Sequence, residues 1–197
     1  MKGVEDLMQS AVKAAGRMQP PHVRRAADSV KYSSALNRDL VSRFRQAGTR
    51  LASSGLAPAG LGAVLARTGD SVVVNRLGAD LGQLSGSDLV TVAAQEPAEG
   101  VDAAAVDRFA QSGAAAGVWA VPAALLALAD AGLGLPDHGG LSAVVGKHAV
   151  DSDPSGPGVW TFSLSGVLAT DDGLEEAAVR LAAAERLAEV TLLGGRR

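Results

Sequence analysis

Residues 63–74 read Ala63-Val-Leu-Ala-Arg-Thr-Gly-Asp-Ser-Val-Val-Val74, and this stretch decides the fold class. Residues 63–66 and 71–74 are short apolar runs. Arg67-Thr68-Gly69-Asp70 between them supplies a glycine-containing turn. Two such runs around such a turn predict a β-hairpin. The stretch follows a helical pattern, so the grammar changes from helix to strand at this point.

N-terminal to the hairpin, residues 36–54 predict an amphipathic helix. Leu40, Val41, Phe44, Ala47 and Leu51 recur at helical spacing, opposite Arg38, Ser42, Arg43, Arg45 and Arg50. Gly55 is its expected stop. C-terminal to the hairpin, residues 88–92 predict a strand and residues 102–111 a helix. Residues 117–121 predict a short buried strand. Pro122 suits the first turn of a helix running to Asp130. Residues 143–145 and 159–164 predict further strands, the second with Trp160, Phe162 and Leu164 alternating onto one face. Asp172-Gly-Leu-Glu175 reads as a capping box. It opens a helix whose inner stripe is Leu174, Ala177, Ala178, Leu181, Ala184 and Ala188. Hairpin strands mixed with helices, without regular strand–helix alternation, predict a mixed sheet covered by helices on both faces.

The 197 residues, 47% hydrophobic and 20% charged, suffice for one domain with a real core. That composition excludes a disordered tail, a collagen and a coiled coil. The chain has no cysteine, hence no disulfide framework, thiolate metal site or cysteine nucleophile. The N-terminus has no uninterrupted apolar run of the secretory kind, and the longest apolar window, residues 113–129, is broken by Pro122. The expectation is a soluble cytoplasmic protein with no membrane partner. Residues 1–34 are read as a basic appendage, with a short helix over 4–15 carrying Val4, Leu7, Met8 and Val12 on one face. Residues 35–197 are read as the folded domain. Residues 1–50 hold ten Lys/Arg against four Asp/Glu, and the remainder holds eight against seventeen. A basic segment of this kind binds nucleic acid or docks on an acidic body, its own or a neighbour's. Only Tyr32 and Phe44 interleave the basic residues, so a single-strand stacking platform is missing and nucleic acid is disfavoured.

Familiar chemistries find little support. His22, His138 and His148 show no metal-ligand spacing, although His138, His148 and a carboxylate can be brought together by folding. Gly139-Gly-Leu-Ser142-Ala and Ser163-Leu-Ser165-Gly do not match a nucleophile elbow. The glycines from Gly55 to Gly62 lack the Lys-Ser/Thr of a phosphate loop and read as a turn. Glu96 and Glu99 bracket Pro97, and Asp151 and Asp153 share a loop. Both pairs are ordinary as solvated loop acids, and neither is a 12-residue calcium frame.

From residue 38 to residue 190 the order of elements resembles the class II aldolase/adducin family. The helix ends Leu51-Ala-Ser-Ser-Gly55-Leu. Gly62-Ala-Val-Leu-Ala-Arg67 stands where the family has G-N-[VI]-S-x-R. Asn75-Arg76-Leu77-Gly78 stands for T-P-S-G, and Gly82-Gln-Leu-Ser-Gly-Ser-Asp88-Leu-Val-Thr-Val92 for the acidic strand that follows. Ser165-Gly-Val167 and Leu174-Glu-Glu-Ala177 match the closing H-G-V strand and L-E-E-A helix.

The resemblance implies a three-layer α/β/α fold with a central, mainly antiparallel mixed sheet. It also implies a zinc site, which this sequence departs from at every ligand. H-x-H-P aligns with Trp119-Ala120-Val121-Pro122, and the third histidine with Ser165. The phosphate-binding Asn aligns with Ala63, and the T-P-S-G set with Asn75, Arg76, Leu77 and Gly78. Pro97-Ala98-Glu99 resembles the end of P-S-S-E, making Glu99 the one candidate acid/base. The resulting expectation is a non-catalytic binding, assembly or regulatory subunit with no metal or other cofactor. Trp119 and Val121 are expected on one face of their strand, with Trp119 filling the former metal cavity near Ser165 and Val167. The alternatives are a lyase or epimerase with a site rearranged around His138, His148 and Glu99, and a metal-free small-molecule binder. The family also implies a homo-oligomer, with a tetramer favoured over a dimer. A protein partner is a further expectation, and the charge asymmetry suits head-to-tail contacts.

Overall fold

Phe44, Ala47 and Leu51 are fully buried along one side of helix α1 (Arg38–Ser53), as their spacing requires. The helix ends in a Schellman motif. Gly55, at φ +71°, donates to the Ala52 carbonyl, Leu56 N–H reaches back to the Leu51 carbonyl, and both leucines are buried. A computed structural model describes residues 38–93, 99–137, 139–163 and 165–194. The expected 4–15 helix and the appendage around it lie outside the described residues.

The hairpin forms as expected. Strands β1 (Gly62–Thr68) and β2 (Ser71–Asn75) pair antiparallel from Leu65–Val74 to Thr68–Ser71, turning through Gly69 at φ +59° and Asp70. Then come β3 (Leu89–Ala93), helix α2 (Ala103–Ser112), β4 (Ala116–Ala120), α3 (Ala123–Asp130), α4 (Gly140–Val145), β5 (His148–Val150), β6 (Gly158–Phe162), β7 (Gly166–Asp171) and α5 (Leu174–Gly194). The strands form one sheet in the order β3-β2-β1-β4-β7-β6-β5. Every neighbouring pair is antiparallel except β5 with β6.

Side-chain alternation divides the sheet into two faces. Val64, Ala66, Val73, Val118, Ala120, Val159, Val167 and Ala169 pack under α1, α3, α4 and α5. Ala63, Leu65, Val72, Val74, Trp119, Trp160, Phe162 and Leu168 pack on the other face with Val106 and Phe109 of α2. Three layers result, α/β/α around a mainly antiparallel mixed sheet.

Side chains from distant elements hold the helix ends. Pro122 cannot cap α3 with its side chain, and Glu185 of α5 accepts from Ala124 and Leu125 N–H at 2.9 and 2.8 Å. Arg180 of α5 donates to the Val144 and Val145 carbonyls at the end of α4 and is paired with Asp171 of β7. Arg67 of β1 closes the end of α2 through the Ala110 and Ala114 carbonyls, both at 3.0 Å. The basic stretch reaches the acidic body once among the described ion pairs, where Arg50 meets Glu175 at 2.7 Å.

Two expectations are corrected. Residues 143–145 are helical: Ala143 N–H bonds to the Gly139 carbonyl, Gly146 N–H to that of Ser142, and Val145 alone of the three is buried. An apolar triplet is too short for its period to be read. The strand of this region is β5, five residues beyond Ala143. The strand holding Trp119 ends at Ala120, so Val121 lies beyond the strand and is not buried with Trp119. Pro122 restricts Val121 and opens α3, leaving Val121 41% exposed. No helix among the described residues is long and apolar enough to cross a membrane.

Candidate functional site

The two neighbouring strands β4 and β7 place the candidate positions of the middle of the sheet. Ala63, Trp119, Leu168 and Trp160 are successive cross-strand partners on β1, β4, β7 and β6. All four lie on the α2 face. Ala63 is the small member of this row, and it pairs with the indole of Trp119.

Trp119 is 3% exposed. Its ring stacks on Phe162 with centroids 5.9 Å apart and planes at 29°. Its five- and six-membered rings both press on the backbone of Gly166, where an added Cβ would lie 2.6 Å from Cζ2 and 2.8 Å from Cε2. Gly166, at φ +154°, therefore leaves its side-chain space to the indole. Ser165, exposed, immediately precedes it. Trp119 thus sits beside the Ser-Gly turn, as expected. Val167 is not its neighbour on the same side: it pairs with Ala120 and faces the other layer.

The structure shows Asn75 as a backbone clamp. It is 1% exposed; its Oδ1 accepts from Val64 N–H at 2.7 Å, and its Nδ2 donates to the Gly62 and Arg76 carbonyls. These bonds replace ladder bonds where β1 and β2 part. Arg76 is exposed; its Nε donates to the Ser87 carbonyl and its N–H to that of Asp88. Gly78 turns at φ +75° beside Gly60. An open groove of about 460 Å³ lies there, lined by Ala52, Ala57, Gly60, Gly78, Asp80 and Leu81 among others.

Glu99 is exposed in the turn before Gly100, whose carbonyl accepts from Leu77 N–H at 2.9 Å. Glu96 and His138 lie outside the described residues. His148 is on β5, half-buried, with Nε2 3.2 Å from Thr161 Oγ1, and burial lowers its pKa. Glu99 belongs to the β2–β3 side of the sheet and His148 to the opposite edge. Five strand steps separate β2 from β5, roughly 24 Å at about 4.8 Å per step. The fold therefore does not bring Glu99 and His148 into one site.

Sequence reasoning missed Phe162 and Gly166 as the floor and wall of the Trp119 pocket, and Arg108, whose guanidinium lies 4.4 Å above the Phe162 ring. Asp151, the one described non-glycine residue with positive φ, accepts from Ser163 N–H and Oγ, which holds its carboxyl below the usual range. The period-2 pattern of residues 159–164 marked the face of Phe162. The distant pairings had no local signal.

The donor set at the aligned ligand positions does not fit zinc. Zinc takes imidazole, thiolate or carboxylate groups. Here the positions offer a buried indole, an exposed isopropyl group and a single exposed hydroxyl. Among the described residues no three His, Asp or Glu side chains cluster as a metal site requires.

No family model matches the chain, and no curated protein matches its sequence. Solved structures do match. The L-fuculose-1-phosphate aldolase of Thermus thermophilus superposes with a TM-score of 0.68 at 21% identity, covering 81% of this chain and 95% of that one. A sugar-phosphate aldolase of Thermotoga maritima gives 0.61 at 16% identity, over 81% and 97%. The N-terminal class II aldolase domain of a conserved Thermoplasma acidophilum protein gives 0.58 at 13% identity, over 77% and 93%. At these identities the likeness establishes the fold alone.

Proposed function

We propose that this chain, which has the class II aldolase fold, is a non-catalytic form of it that serves as a binding, assembly or regulatory subunit. The observation that carries the reading is Trp119. Its indole occupies the space between the ends of β4 and β7, stacked on Phe162 and pressed on Gly166. By the sequence resemblance, that is where two histidines at the end of β4 and a third just before β7 would converge on a metal. An apolar side chain that is 3% exposed removes both the ligands and the water-filled space in which a substrate carbonyl would be polarised.

A direct test is aldol cleavage of L-fuculose 1-phosphate, the compound named for the Thermus relative, with zinc added. The rate should stay at the protein-free blank. Turnover that disappears in a Glu99→Ala variant would overturn the reading and restore Glu99 as an acid/base.

The reading includes assembly. The resemblance supports a homo-oligomer, with a tetramer ahead of a dimer. Light scattering at micromolar concentration should give a mass of four chains, and a mass of one chain would reject it. The groove beside Gly60 and Gly78 supports a second reading, a metal-free small-molecule binder.

A further inference from the structure

Strand β5 has only three residues, all half-buried, and β6 is its single strand neighbour. The Val159 N–H of β6 donates to the Lys147 carbonyl at 2.8 Å, and the Asp151 N–H donates to the Thr161 carbonyl at 2.9 Å. Gly146 at φ +66° and Asp151 at φ +47° bracket the strand. A short edge strand of this kind opens locally at lower cost than the middle of the sheet. Few contacts therefore decide whether it stays closed.

His148 makes the most specific of them. In the parallel register it pairs with Val159, and Val150 with Thr161. Ala149 lies on the α2 face and Val159 on the face of α3, α4 and α5, so alternation turns His148 to the latter. Its Nε2 stands 3.2 Å from Thr161 Oγ1. Thr161 is 0% exposed, and this imidazole is the one hydrogen-bond partner of its hydroxyl among the described residues. A neutral ring fits that place, because one nitrogen donates and the other accepts. An imidazolium brings a charge into it and can only donate. With Glu99 on the far side of the sheet, the ring has no part in a shared site.

The described charges nearby are engaged elsewhere. Lys147 turns to the α2 face and lies over Trp160, and Asp151 is taken up by the N–H and Oγ of Ser163. Strand β6 and helix α4 carry no titratable side chain. On α5, Arg180 is bound to Asp171 of β7 and to the α4 carbonyls, Glu185 holds the start of α3, and Glu176 folds back against Gly173. Asp130 ends α3, and Asp137 accepts from the Gly139 N–H. None of these charges moves the imidazole: burial alone lowers its pKa.

We propose that β5 is an acid-released edge: protonation of His148 parts it from β6 and leaves β6 as the edge of the sheet. The Val159 N–H and the Thr161 carbonyl then stand unpaired, which is the form of edge that takes up another strand. The direction follows from linkage. Above pH 6.5, the ring's ordinary pKa, it is neutral whether β5 is closed or open. Below it the open form takes the proton first, so opening grows as pH falls, until the closed form is protonated too. Between pH 7.5 and 5.5 the open population rises by up to about tenfold. The device lies at the sheet edge and operates whether or not the chain catalyses a reaction.

The test is amide hydrogen exchange of the full-length protein at pH 7.5 and 5.5, corrected for intrinsic exchange rates. The opening constant at the Val159 and Asp151 amides should rise at least twofold at the lower pH, while the amides of β4 keep theirs. A His148→Gln variant, which can still bond Thr161 and takes up no proton, should show no such rise. The ring of His148, titrated by NMR in the wild type, should have its midpoint below 6.5, which keeps the proposal open to refutation even if the variant folds poorly. Four results would overturn it: a rise below twofold, an equal rise in His148→Gln, an equal rise across β4, or a ring midpoint at or above 6.5.

Discussion

Replacing Trp119 with alanine is expected to lower the stability of the protein by about 3–5 kcal/mol, the range for removing a large aromatic side chain from a packed core. The indole is 3% exposed and lies in the layer between the sheet and α2. Its partners cannot close the gap. Ala63 is too small, and Gly166 has no side chain to extend. Phe162 would lose a stacked ring as well, worth a further part of that cost. Chemical denaturation of wild type and Trp119→Ala, with equal m-values, gives the number directly. A loss below about 1 kcal/mol, in the territory of surface substitutions, would mean that the indole does not fill a core. The plugged cavity would then have no support.

How far the sequence disclosed this fold depends on how each element is buried. The hairpin was legible because its turn is local: Gly69 and Asp70 close Thr68 on Ser71. Helix α5 was legible because Leu174, Ala177, Ala178, Leu181, Ala184 and Ala188 are all buried on one stripe. Strand β7 carries no period-2 signal, since Gly166 to Thr170 are buried throughout, and it entered only through the resemblance of Ser165-Gly-Val167. Strand β5 is three half-buried residues at an edge, and the apolar triplet 143–145 before it has the more strand-like composition.

The site was legible in part for similar reasons. The three positions Trp119, Val121 and Ser165 were singled out from motif alignment. The structure brings Trp119 against Gly166, next to Ser165, at the junction of β4 and β7. What escaped was that Val121 lies outside the strand and exposed, because Pro122 ends the strand one residue early. Asn75 was aligned with a ligand-binding position and instead spends its amide on the β1 and β2 backbones, a role set by strand register. Register is a long-range property, so no local pattern could announce it. The rearranged set of His148 and Glu99 failed for the same reason. Their separation follows from strand order across the sheet.

The central claim is that the place between β4 and β7 holds a tryptophan and no metal. Zinc needs about three good donors and an open position. Trp119 and Val121 offer none, and the Ser165 hydroxyl alone is too weak to hold the ion. The effect is all-or-none, because a site with its imidazoles replaced does not bind partially at the affinity of a resident ion. The most direct measurement is elemental analysis of the purified full-length protein after mild dialysis, repeated after incubation with zinc. The account predicts well under one zinc per chain in both samples. One tightly held zinc per chain, lost in Glu99→Ala or His148→Ala, would contradict it and show that the fold has rebuilt a metal site from other residues.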